Sequence, residues 1–560
     1  MPAPFTLRLP PVLLRLRPHL PTLCLLLILA TTALFIRAYY FPGYYSGVDE
    51  SSYLVSAKSF ATTGSFGHVI ADPFHFASEN MVETAPGVFY TKYPPGYPFL
   101  CAIAYRLGGP DAPFLVNPIL ALITLVAFYF LAKEFLSPWA AVFATLLLAA
   151  NPLVYFYAVR PMSHATDLCF STLAMLFLWR SYKYNSILAA LLTGLFIAAA
   201  ASTRYTDLLL ILPAGALFVY KIVTTPAPSL GKKILRSPLL LIIASLVAGL
   251  IPLAIYHTVA FGSPFATGYS LTAESSSFSL TFFVQHFLPM LGQINSPRFG
   301  LVLIFPIAIV ALIFLARRAT PEFLFLALWA LVPLLLYSAY YWIGPPALYL
   351  RFILNTYPAY ILAALAIPFR LLPASRLSRL ILPIAAIPFA AFAFAAHDAN
   401  VTLDEAMNMA AFTQEMGRLC HDHLPPNTVL LADQYIAYYL DYAADYDLYY
   451  PHYFNEAWVH KQLDDQADPH SNHNLNALRA SRLNTLIGQR DNNALTLLLR
   501  ERFHTHLAQG RPVAILCPTV ALEYWQQRLG PSFQFTLLAT SEMGWTLCSL
   551  SNAPSTQPHP

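Results

Sequence analysis

Charge is what this 560-residue chain has least of: 11% of its residues are Asp, Glu, Lys or Arg, against 57% hydrophobic. Soluble globular domains carry about 25% charged residues. A shortage of this size excludes an ordinary soluble domain and points to a chain that crosses a membrane many times. Cysteine is scarce as well. The six present form no CxxC pair, which excludes a zinc ribbon, a thioredoxin-like motif or a disulfide scaffold. Cys24, Cys101 and Cys169 lie in apolar runs, whereas Cys420, Cys517 and Cys548 could include one disulfide if the tail is extracytoplasmic. No basic patch interleaved with aromatics of the RNA-binding kind is present, so no nucleic-acid partner is expected. A small-residue cleavage site is missing after the first apolar segment, where Leu20–Ile36 ends in Arg37-Ala38-Tyr39-Tyr40. An uncleaved first span is therefore expected.

What the chain does have is apolar runs of the 17–25 residues or so that a bilayer requires. They recur at about 20–37, 113–132, 138–157, 165–182, 186–203, 205–222, 238–257, 299–316, 322–342, 350–367 and 379–396. The net charge of +4 conceals a division: residues 1–396 sum to +12 and residues 397–560 to −8. The apolar runs stop at the same place, which marks a domain boundary. One further stretch, Pro94–Leu107, is apolar but short and broken by Pro95, Gly96 and Pro98, and reads as a juxtamembrane or re-entrant helix. With eleven spans and a cytoplasmic N-terminus, fifteen Lys/Arg fall inside and eight outside, as the positive-inside rule demands. Counting Pro94–Leu107 as a twelfth span would place Arg180/Lys183 and Arg317/Arg318 outside and spoil the pattern.

The expected fold is thus a polytopic α-helical membrane protein of about eleven transmembrane helices (residues 1–396), followed by a C-terminal extracytoplasmic α/β domain (397–550) and a disordered tail (551–560). The first outer loop, 38–112, is long and should hold a helix around Ser51–Phe60. The third, about 260–299, should hold an interfacial helix near Leu280–Leu291. Long connectors of this kind are usually functional. In the tail, a helix over Leu403–Leu424 precedes β-like runs at Thr428–Ala432, Asp447–Tyr450, Asn484–Ile487, Pro512–Cys517, Phe533–Ala539 and Trp545–Leu550.

Chemistry is expected where charge meets the outer membrane surface, because an ion buried in apolar surroundings is costly unless paired. Gly47-Val48-Asp49-Glu50-Ser51-Ser52-Tyr53 sets two adjacent carboxylates just past the first span. A carboxylate there can take a proton from an attacking hydroxyl. The same face carries Lys92, Arg160, Arg204 and Arg351; arginine suits a phosphate through its bidentate fork and lysine through a point charge. Each residue has a plainer reading beside this one. Arg204 and Arg351 could be snorkelling anchors, Asp167 could simply pair with Arg160, and Asp49 could be the N-cap of the Ser51–Phe60 helix. Asp49, Glu50, Asp167, His68, His75 and His164 together make an adequate ligand set for a divalent metal ion. They lack tight spacing, and cations alone can handle a monophosphate.

The order and sidedness of these motifs resemble the GT-C glycosyltransferases, particularly the group of protein O-mannosyltransferases and lipid A aminoarabinose transferases. That resemblance rests on Asp49-Glu50 after the first span, Lys92-Tyr93-Pro94-Pro95 in the first outer loop and Asp167 after the third. Thr203-Arg204-Tyr205 and Arg351-Phe352-Ile353-Leu354-Asn355-Thr356-Tyr357-Pro358 add two later basic motifs. It covers residues 1 to about 370, and departs from the family pattern where Tyr93 stands between Lys92 and the proline pair. It implies an inverting transfer of sugar from a polyprenyl-phosphate donor to a glycan, lipid or protein acceptor at the outer face of a bacterial-type inner or plasma membrane. Asp49 would be the base, with Glu50 supporting it and Asp167 orienting the acceptor or assisting. Lys92, Arg160, Arg204 and Arg351 would bind the donor phosphate, while Tyr53, Tyr93 and His164 would support the site or contact the acceptor. The competing class is a secondary transporter or lipid flippase, for which internal repeats and midplane charges are the usual marks; neither is found in the sequence.

Overall fold

The computed structural model describes residues 19–39, 47–70, 72, 75, 80–226, 237–272, 277–371, 401, 404–405, 408–440, 446–454 and 492–554. Its helical part comprises α1 (Leu20–Tyr39), α2 (Val48–Thr63), α3 (Gly96–Gly108), α4 (Val116–Phe135), α5 (Pro138–Ala149), α6 (Pro152–Val159), α7 (Ser163–Tyr184), α8 (Ile187–Thr203), α9 (Ile211–Thr224), α10 (Pro238–Phe261), α11 (Leu280–Ile294), α12 (Ile304–Arg318), α13 (Thr320–Ser338) and α14 (Tyr357–Leu371). Among the described residues six helical segments are long and apolar enough to cross a membrane, or seven if the bent pair α5–α6 is one span. Helix α8, with 17 residues, and α12, with 15, are shorter. The expected run 379–396 lies outside the described residues.

Two features fix the ends of this bundle. Glu134 on α4 pairs with Arg180 and Lys183 on α7, at 3.2 and 3.0 Å. Lys221 on α9 donates to the Tyr182 carbonyl and to Asn185, at 2.6 and 2.7 Å. Residues expected inside thus gather at one end, and the candidate site residues meet at the other. The second feature is the 62° bend between α5 and α6. Pro152 starts α6 at a position where its missing N–H is no loss, and the Asn151 side chain accepts from Leu153 N at 3.0 Å. The break redirects the chain so that Arg160, at the end of α6, turns back toward the site.

The loop expected outside, between α1 and α4, forms α2, α3 and a three-stranded antiparallel sheet, β1 (His68–Val69), β2 (Met81–Ala85) and β3 (Val88–Thr91), in the order β1-β3-β2. Helix α3 has 13 residues, about 20 Å at 1.5 Å per residue, too short for a hydrocarbon core of about 30 Å. It lies against α2, with Arg106 donating to the carbonyls of Ala61 and Phe60 at 2.8 and 3.0 Å.

C-terminal to the bundle, β4 (Thr428–Leu431), β5 (Tyr446–Tyr449), β6 (Val513–Pro518), β7 (Phe533–Thr540) and β8 (Trp545–Asn552) form a five-stranded mixed sheet in the order β5-β4-β6-β8-β7. Strand β4 runs parallel to β5 and β6, and β8 antiparallel to β6 and β7. Helices α15 (Asn492–Ala508) and α16 (Leu522–Leu529) complete it. Strand β8 runs to Asn552, two residues into the stretch expected to be disordered; the run expected at Asn484–Ile487 lies outside the described residues. All six cysteines are free. Cys517 stands opposite Thr546, and Cys548 opposite Ile515. The two are therefore diagonal neighbours, about 7–8 Å apart in such a ladder, beyond disulfide reach.

One face of this sheet packs Val429, Leu431, Val513 and Ile515 against Leu499 and Phe503 of α15 and Trp525 and Leu529 of α16; the other face shares its core with the loop between α1 and α4. Leu54 and Val55 of α2, Ile70, Met81 and Phe89 are buried in one cluster with Met416, Leu430, Tyr438 and Leu448. Lys58 donates to the carbonyls of Tyr438 and Leu440 at 2.9 and 3.3 Å, and the Tyr449 hydroxyl donates to Asp72 at 2.6 Å. The α/β unit is thereby welded to the loop that carries Asp49.

Candidate active site

Asp49 is not the N-cap of α2. Gly47 takes that position, in an extended conformation, and Asp49 lies in the first turn, where the helix dipole favours a negative charge. Its Oδ1 accepts from the Tyr93 hydroxyl at 2.6 Å and from Asn80 at 3.3 Å; its Oδ2 meets Arg351 Nη1 at 3.1 Å. Burial opposes ionisation, but Arg351, the Tyr93 hydroxyl and Lys92 together hold the carboxyl below its ordinary range. The side chain keeps 27% of its surface exposed, so it can still be reached. Tyr93, the residue inserted into the Lys-Pro-Pro motif, is thus the hydroxyl that orients the carboxylate. Burial first, and Asp49 second, raise the Tyr93 phenol and keep it a donor.

Lys92 follows directly on β3. Its backbone N–H donates to the Asn80 carbonyl at 2.9 Å, so the hairpin that ends in Lys92 also holds Asn80 against Asp49. The ammonium sits over the rings of Tyr93 and Tyr269, 5.3 and 5.9 Å from their centroids. Tyr269 arrives from the third loop because Gly268 packs on the Lys92 backbone; a Cβ there would lie 2.2 Å from Lys92 Cα. Gly96 makes the equivalent approach to the end of α8, where a Cβ would meet the Ser202 carbonyl oxygen at 2.5 Å. That contact draws the Lys92 loop up to Arg204.

Arg204 and Arg351 both lie over the Phe352 ring, 5.4 and 5.1 Å from its centroid. Arg204 donates to the Tyr337 hydroxyl at 2.8 Å and to the Arg351 carbonyl at 3.2 Å, and faces Asp167 at 3.7 Å. Arg160 does not pair with Asp167. It closes on Glu50 at 2.5 Å, with Glu50 fully buried. Asn117 fixes that turn by donating to the carbonyls of Arg160 and Met162 at 2.5 and 2.7 Å.

Between these groups lies a cavity of about 540 Å³. Of the residues singled out from sequence, Asp49, Tyr53, Lys92, Tyr93, His164, Arg204 and Arg351 line it; Glu50, Arg160 and Asp167 do not. Tyr53 stacks on Tyr93 at 4.8 Å and shares a hydrogen bond with Ser163 at 3.1 Å. His164 packs its ring 4.8 Å from that of Tyr157. Much of the rest is aromatic: Tyr205, Tyr269, Phe278, Tyr337, Tyr340, Tyr341, Trp342 and Phe352. Asn80, Tyr269, Tyr337, Asp207 and Asn355 escaped the sequence reading. Only Asp207 left a signal there, a carboxylate within an apolar run.

The ligand set considered for a metal is dispersed. Asp49 goes to Arg351, Glu50 to Arg160 and Asp167 to Arg204, while His75 faces Asp447 and β5. Among the described residues, no group of three or more His, Cys, Asp or Glu is placed to hold a metal ion.

Residues 92–259 match the model of a family described as dolichyl-phosphate-mannose-protein mannosyltransferase. Comparison with curated proteins finds no match. Among solved structures, ArnT from Cupriavidus metallidurans, bound to undecaprenyl phosphate, is similar with a TM-score of 0.56 at 15% identity, over 95% of this chain and 97% of its own. The arabinofuranosyltransferase AftD from Mycobacteria is similar with a TM-score of 0.52 at 12% identity, over 95% of this chain and 40% of its own. The chain accordingly has the fold of the GT-C glycosyltransferases, the superfamily to which that family and both of these enzymes belong.

Proposed function

We propose that this protein is an inverting glycosyltransferase that moves a sugar from a polyprenyl-phosphate carrier to an acceptor at the extracytoplasmic face of the membrane. The observation that carries this reading is the meeting of one carboxylate, Asp49, with Lys92, Arg204 and Arg351 around a single aromatic cavity. The undecaprenyl phosphate held by ArnT supports the choice of carrier. The acceptor, whether glycan, lipid or protein, stays open.

In the reaction the acceptor hydroxyl oxygen bonds to the anomeric carbon while the bond from that carbon to the phosphate oxygen breaks. The electron pair leaves with the polyprenyl phosphate, and the hydroxyl proton passes to Asp49. Lys92, Arg204 and Arg351 stabilise charge growing on the phosphate, so no acid is needed for the leaving group. Arg351 stands in both halves of this chemistry. A phosphate drawing it off Oδ2 would leave Asp49 a stronger base once the donor is seated, with Tyr93 and Asn80 still holding Oδ1. Glu50 and Arg160, sealed against each other behind the cavity, brace the first turn of α2.

The test is Asp49→Asn assayed with undecaprenyl-phosphate sugars. Folded, inserted protein with transfer abolished is expected, and full activity in that variant would refute the assignment.

A further inference from the structure

Behind the cavity wall, out of reach of the reacting atoms, Asp207 occupies the turn of 3-10 helix that follows Arg204 (Tyr205–Leu210). It is 4% exposed and Asp167 is 1% exposed. Among the described residues no donor reaches Asp167 Oδ1 or Asp207 Oδ2, both of them buried, and each carboxyl lies in the field of the other. Asn355 donates to Asp207 Oδ1 at 2.9 Å, and Arg204 lies 3.7 Å from Asp167 Oδ2. Two buried carboxylates side by side repel, so a proton on one of them is what lets both stay buried there. One shared proton also balances the charge, leaving one negative charge against one guanidinium.

We propose that Asp167 and Asp207 share a single proton and act together as positioning residues that aim Arg204 into the cavity. The pair gives Arg204 a neutralising partner on the side away from the substrate. The Tyr337 hydroxyl and the Arg351 carbonyl fix two more of its donors. Arg204 is then pre-organised for a phosphate rather than free to collapse onto Asp49. This inference rests on the phosphate-binding reading above, and gives Asp207 a role that depends on its being polar rather than on its being charged.

Two measurements on the full-length protein in detergent test it. Infrared difference spectroscopy should show a protonated-carboxyl stretch that is lost in Asp207→Asn. Binding of undecaprenyl phosphate should be near wild type in Asp207→Asn, whose amide can donate to Asp167 and accept from Asn355, and about tenfold weaker in Asp207→Ala. The proposal is overturned if the wild type lacks the band, or if Asp207→Asn binds as poorly as Asp207→Ala. Failure of the wild type to bind undecaprenyl phosphate would instead remove the functional reading, and the infrared band would still decide whether the proton is shared.

Discussion

Single residues in this protein act through their partners, and Asp49 shows it most directly. In the proposed role of base its carboxyl works only when ionised; burial opposes that, but Arg351 with Tyr93 holds its pKa below the ordinary carboxylate range. Activity is then expected to be fully present above that lowered pKa and lost as pH falls through it. We expect kcat/KM, which reports groups of the free enzyme, to keep its acid limb below the ordinary carboxylate range. Arg351→Met should move that limb upward, because burial, which opposes ionisation, then acts with less to counter it. A limb that stays in place would separate Asp49 from the profile. Glu50 makes a different prediction. Removing one member of a buried ion pair costs about 3–5 kcal/mol, whereas replacing both can be neutral. Glu50→Gln should lower the melting temperature sharply, and Glu50→Gln with Arg160→Met should recover much of it. If Glu50→Gln melts like wild type and only donor binding suffers, Arg160 is a phosphate ligand after all.

At the scale of elements, the site depends on how closely backbones approach. Helix α3 packs on the end of α8, and the third loop on the Lys92 segment, only because Gly96 and Gly268 have no Cβ. Gly268→Ala should push Tyr269 away from the Lys92 ammonium and raise the donor KM several-fold with a smaller change in kcat. Steady-state kinetics check this, and an equal fall in kcat would place the third loop in the chemistry instead. The bend between α5 and α6 belongs to the same scale. Asn151 and Pro152 stop one helix and start the next, and that is how Arg160 comes to face Glu50.

For the whole molecule, the joint between the α1–α4 loop and the α/β unit holds a buried histidine that makes stability depend on pH. Burial lowers the His68 pKa to about 4, so the folded state holds this ring neutral where the unfolded chain, near 6.5, takes up a proton. The stability it contributes is present above pH 6.5 and is lost as pH falls from there to 4, at up to about 1.4 kcal/mol per pH unit. Apparent melting temperatures should drop across that window, with a shallower slope in His68→Leu. An unchanged slope would assign the effect to groups other than His68.

Composition and periodicity alone made this chain a polytopic helical membrane protein with an α/β tail, because apolar runs and charge sidedness are one-dimensional properties. The motifs likewise marked Asp49, Lys92, Arg204 and Arg351 as a group. What sequence could not supply was pairing. Arg160 belongs to Glu50 and Arg204 to Asp167, and those choices depend on how spans far apart in the chain pack around a bent α5–α6. Tyr93 was legible only as an interruption of a motif; its distance of 2.6 Å from Asp49 needed the hairpin to be folded. Asp207 was hidden for the opposite reason. A lone carboxylate in an apolar run says that a partner must exist, and only tertiary packing could name Asp167 and Asn355.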